Sequence, residues 1–122
     1  KQKWNTKMLK QWNPSSWVIF KVKNHETPHY RLLCGWNEGY EAAKAKTEWK
    51  ISGGILESKE SEDGLSWIFT TTKSEYVCDK SSYQVENHVY HVWQTMIDDP
   101  DKDVEQIAYR DLQVEKMEWL KL

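Results

Sequence analysis

The chain has 122 residues, 39% hydrophobic and 30% charged, with 17 Lys and Arg against 19 Asp and Glu for a formal net charge of −2. That length fits one domain with a single core, and the balanced charge with abundant aromatics argues against disorder and against a broad nucleic-acid surface. No apolar run is long enough to span a membrane and no signal-peptide pattern occurs, so the expectation is a cytoplasmic protein without membrane association.

The predicted elements divide the chain into a basic, aromatic helical segment over 1–16 and a sheet-plus-helix body over 17–122. In the first segment Trp4, Met8 and Trp12 recur at helical spacing, and Asn13-Pro14-Ser15-Ser16 ends the pattern. An exposed face of that kind would favour a homodimer. Trp17–Lys23 (WVIFKVK) and Tyr30–Trp36 (YRLLCGW) read as two strands of an antiparallel hairpin across the polar turn Asn24–Pro28. Residues 37–47 read as a loop or short helix. Trp49–Ser52 and Ile55–Ser58 read as short strands hinged at Gly53-Gly54. Asp63-Gly64 turns into a strand over Leu65–Thr72, whose Leu65, Trp67, Phe69 and Thr71 share a face, and Glu75–Cys78 gives another strand.

Residues 83–97 carry two conflicting signals. Val85, Val89, Val92, Trp93, Met96 and Ile97 repeat with helical period, with Ser81-Ser82 as a cap, whereas HVYHVW has strong β propensity. The period favours a helix. Asp98–Asp103 is a turn, Val104–Tyr109 a strand, and a short helix from Asp111 would group Val114, Met117 and Leu120. The fold class is α+β: a mainly antiparallel sheet of five or six short strands with one principal helix and short terminal helices.

The chemistry rests on aromatics. Eight Trp, six Tyr and two Phe make up 13% of the chain. Indole is a costly core filler because its N–H needs a partner when buried, so an excess points to recognition surfaces, where Trp, Tyr and Arg dominate binding energy. Trp17, Trp67 and Trp93 lie in apolar periodic segments and read as core. Trp4, Trp12, Trp36, Trp49 and Trp119 lie near turns or termini among charges. The expected contact edge is Trp36, Tyr40 and Trp49, with Arg31 and Lys50 supplying charge-assisted bonds at its rim.

Other constellations are ordinary. His25, His29, His88 and His91 with Cys34 and Cys78 lack the spacing of a zinc site, so no metal or cofactor is expected. Asp99, Asp101 and Asp103 resemble the opening of a calcium loop, but Val104 and Arg110 stand where Gly and Glu would be needed. There is no G-x-S-x-G elbow and no phosphate loop. The two cysteines read as buried thiols in a reducing compartment, with a single disulfide as the alternative in an exported protein.

The run Cys34-Gly35-Trp36, Gly39-Tyr40, Trp49-Lys50-Ile51-Ser52-Gly53-Gly54-Ile55 and Tyr76-Val77-Cys78-Asp79-Lys80 resembles small phage-encoded accessory proteins. That resemblance implies a host-takeover or anti-defence factor that binds and blocks a bacterial protein. The resulting expectation is a non-enzymatic binding protein that occludes a protein partner through an aromatic-rich surface. The alternative is a binder of a sugar or nucleotide in an aromatic pocket.

Overall fold

The computed structural model describes residues 9–36 and 49–121. Among them, eight strands form two four-stranded sheets, accompanied by a single α-helix. The α+β class therefore holds, while the strands divide between two sheets where one was expected. The first sheet has the order β1 (Lys10–Trp12), β7 (Ser74–Asp79), β6 (Ser66–Thr70), β5 (Glu57–Glu60). The second has the order β4 (Trp49–Ile51), β3 (His29–Gly35), β2 (Ser16–Val22), β8 (Val104–Gln106). All pairings are antiparallel except β1 with β7.

The reason for two sheets lies in β2. Its Trp17, Val18, Ile19 and Phe20 are each no more than 1% exposed. Successive strand residues point to opposite faces, so this run needs apolar cover on both sides. Trp17 and Ile19, with Leu32 and Cys34 of β3, pack against Trp12, Phe69, Tyr76 and Cys78 from the first sheet. Val18, Phe20 and Leu33 pack against Val89, Trp93 and Met96 of α1 (Asn87–Asp98). The order of layers is sheet, sheet, helix.

The helix buries Val89, Trp93 and Met96 of the expected apolar face, whereas Ile97 of that face is exposed, like Tyr90, and Val85 precedes the helix. Its N-cap is Glu86, and Ser81 and Ser82 belong instead to a separate 3-10 turn.

Four local readings change. The strand expected over Val104–Tyr109 stops at Gln106, and Tyr109 opens a 3-10 turn. Residues 10–12 form a strand where the 1–16 segment was expected to be helical; the remainder of that pattern, residues 1–8, lies outside the described residues. Pairing with the β7 edge overrides the helical spacing, and Trp12 is buried with its indole N–H donating to Ser74 Oγ at 3.3 Å. The strand expected at 55–58 starts two residues later, because the preceding segment bridges the two sheets. The Ile55 amide donates to Tyr30 O and the Leu56 amide to Thr70 O. Gly54 sits at that crossing, where a Cβ would lie 2.7 Å from Leu120 Cδ2 and 3.2 Å from the His29 ring. The helix expected from Asp111 is a 3-10 turn at Val114–Lys116, with Val114 buried.

Tyr83 joins the centre to the C-terminal segment. Its hydroxyl donates to Ile107 O at 2.5 Å and accepts from the Ile19 amide at 3.1 Å, while its ring meets Trp17 edge-on at 4.8 Å. Replacing Tyr83 with Phe leaves both backbone groups short of a partner. Urea denaturation of Tyr83→Phe is expected to show a loss of about 1–3 kcal/mol, and an unchanged midpoint would show that the hydroxyl ties nothing together.

An aromatic groove at the end of the sandwich

The expected contact edge does not assemble as one surface. Trp49 and Lys50 are neighbours on β4, so their side chains point to opposite faces. Lys50 points toward the first sheet, its Nζ 5.2 Å from the centroid of the Trp12 ring. Trp49 packs at the margin of the helix-side cluster. Arg31 also lies on the helix side, lining a pocket with Phe20, Ile51 and Met96. Tyr40 falls outside the described residues. Trp36 is only 2% exposed and packs between the sheets, edge-on to Trp12 at 5.7 Å. Its Nε1 is buried without a hydrogen-bond partner among the described residues.

A burial of that kind makes Trp36 a structural residue. Trp36→Ala is expected to cost about 3–5 kcal/mol of stability, as for other buried Trp truncations. Equilibrium urea unfolding followed by circular dichroism checks this, and a wild-type midpoint would return the indole to the surface.

Tyr90 is exposed on α1, and a second group of surface aromatics lies at the end of β6. Trp67 shares the inward face of β6 with Phe69, but Phe69 is fully buried and Trp67 only partly so. Trp67 floors a groove of about 290 Å³ shared with Trp17, Lys80, Tyr109, Arg110 and Leu112. A second groove of about 340 Å³ continues from Trp67 and Leu112 along Gln113–Lys116. Leu65 at 64% and Tyr109 at 68% exposure are the most open of the large hydrophobic side chains described.

Each wall has a local cause. The turn after β7 is held by Asp79, whose carboxylate accepts from the Ser81 hydroxyl at 2.6 Å and the Ser81 amide at 2.8 Å. Those two bonds keep the Asp79 carboxyl below its usual range. The Asp79 carbonyl takes the Trp17 indole N–H at 2.7 Å, and the Lys80 amide donates to Leu65 O at 3.0 Å. Lys80 is thereby placed with Nζ 4.4 Å from the Trp67 ring centroid, and it also pairs with Glu60. On the other wall, a 3-10 turn at Tyr109–Asp111 presents Tyr109 against Tyr83 at 5.9 Å. Burial pushes the Tyr83 phenol up to about 12, opposed by its bond to the Ile19 backbone, so the hydroxyl supporting this wall stays protonated at neutral pH.

Cys34 and Cys78 are free thiols, fully buried, and burial raises both above the usual thiol range. Such thiols are poor nucleophiles. Among the described residues, no group of three or more His, Cys, Asp or Glu side chains is placed to hold a metal ion, and no helix is long and apolar enough to cross a membrane.

Sequence reasoning placed Trp67 in the core and passed over Lys80, Tyr109 and Arg110. One signal was available: the apolar face of β6 runs to Leu65, directly after the Asp63-Gly64 turn, where a sandwich has no further strand to cover it. No family model matches the chain, and the searches of curated proteins and solved structures found no similar protein.

Proposed function

We propose that this protein is a non-enzymatic binding module that blocks a protein partner through the aromatic-rich groove at Trp67. One observation carries the reading: an exposed Tyr109 stands beside a half-buried Trp67, with Lys80 and Arg110 on the same groove. Binding hot spots combine large rigid aromatic area with a few cations, bounded by neighbours that exclude water. Leu65, two residues before Trp67, adds an exposed apolar side chain at the same end of β6. The resemblance of residues 34–80 to phage-encoded accessory proteins makes a bacterial host or defence protein the proposed partner, in a cytoplasmic setting. Two free buried thiols support a reducing compartment.

A sugar or nucleotide fits this groove less well. Such ligands stack on an open ring face, and Lys80 already covers a face of Trp67. A protein partner needs no such face, since it gains from the exposed edge of Trp67, Tyr109 and Leu65 together.

The test is affinity capture from a bacterial lysate, followed by titration of the purified pair. Tyr109→Ala combined with Leu65→Ser should weaken the complex by about 30-fold or more, the level expected of hot-spot side chains. Both side chains are exposed, so the thermal midpoint should stay near wild type. Full affinity in the double variant, or no stoichiometric partner for the folded wild type, would overturn the reading.

A further inference from the structure

A pocket of about 280 Å³ lies on the helix side of the second sheet and shares no lining residue with the grooves at Trp67. Its floor is apolar, built from β2, β4, β8 and the C-terminal half of α1, with Phe20, Ile51, Met96 and Val104 contributing. Arg31 enters it from β3.

The setting of Arg31 is unusual. Its Nε donates to His29 Nε2 at 3.0 Å, and His29 Nδ1 lies 2.9 Å from Thr27 O. Both bonds are satisfied by one neutral tautomer, with the proton on Nδ1. His29 is 3% exposed, so the ring is a fixed prop. The guanidinium is thus oriented through Nε by a ring nitrogen that accepts, and no carboxylate among the described residues pairs with it. Among the described residues the ion pairs involve Lys23, Lys80 and Arg110, and none involves Arg31. The lining also includes Lys102 and Asp101, so with Arg31 its formal net charge is +1.

A cation beside an apolar floor, pinned through Nε, presents its remaining N–H groups as a fork that matches a carboxylate. Ligand sites span about 300–1,000 Å³, and a pocket just below that range admits a small molecule and excludes a bulky one. We propose that this pocket binds a small amphipathic monocarboxylate, with the carboxylate on Arg31 and the hydrocarbon part on Phe20, Ile51 and Met96. The site is independent of the partner surface proposed above.

Isothermal titration of the full chain with octanoate, and with octan-1-ol as the uncharged counterpart, tests the assignment. Octanoate should saturate one site and bind about 10-fold or more tighter than octan-1-ol, the scale of a charge-assisted hydrogen-bonded pair. Arg31→Gln should remove that difference while octan-1-ol binding persists, and Arg31→Lys should give an intermediate value because it keeps the charge and loses the fork. Val104→Trp, which fills the cavity, should abolish binding of both probes with the far-ultraviolet circular dichroism retained. Equal affinity for the two probes, unchanged octanoate binding in Arg31→Gln, or no saturable octanoate binding would overturn the proposal. Tighter binding of a short peptide with a free C-terminal carboxylate, lost on amidation, would assign the pocket to a protein terminus and overturn the small-ligand reading.

Discussion

The two-sided burial of β2 is the constraint on which the rest of the structure depends. A run of Trp17, Val18, Ile19 and Phe20 cannot leave either face to water, since each such side chain is worth about 1.5–3 kcal/mol when removed from solvent. One face recruits the first sheet and the other recruits α1. The chain between β4 and β5 must then cross from one sheet to the other, which it does at Ser52–Leu56 with backbone bonds to β3 and β6. Gly54 lets the crossing pass closely, since a Cβ there would press on the Leu120 side chain and the His29 ring.

This arrangement also decides where tryptophan is structural. Trp12, Trp17, Trp36 and Trp93 are buried among the core residues, and Trp12 and Trp17 satisfy their indole N–H groups on Ser74 and on the Asp79 carbonyl. Trp119 follows the same logic, stacking edge-on against Tyr30 and Phe69 and donating to Ser58. The excess of tryptophan is therefore spent largely on joining layers. Away from the helix, where Tyr90 and Ile97 are exposed, the apolar surface left over lies at the end of β6, at Trp67 and the chain segment bearing Tyr109.

Much of the fold was legible in the sequence, and the parts that were not share a cause. The β2–β3 hairpin, the β6 and β7 strands and the helix with Val89, Trp93 and Met96 on its buried face followed from local period and propensity. The division into two sheets did not, because period does not say which strand pairs with which. The unbroken apolar run of β2 was the clue, since a strand with one solvated face would alternate. The expected edge drew its residues from proximity in sequence, and strand geometry separates two of them: Trp49 and Lys50 are consecutive on β4 and face opposite sides. For Trp36, proximity to a turn in sequence says nothing about cover in space, and Trp12 of the first sheet packs edge-on against it.

The central claim is that the surface aromatic chemistry resides at Trp67 and Tyr109, and that Trp36 belongs to the core. Hydroxyl-radical footprinting of the free protein, read residue by residue by mass spectrometry, tests it most directly. Tyr109 should label fastest, Trp67 more slowly, and Trp17 and Trp36 should be protected until the protein unfolds. Labelling of Trp36 as rapid as that of Tyr109 in the folded protein would contradict the account.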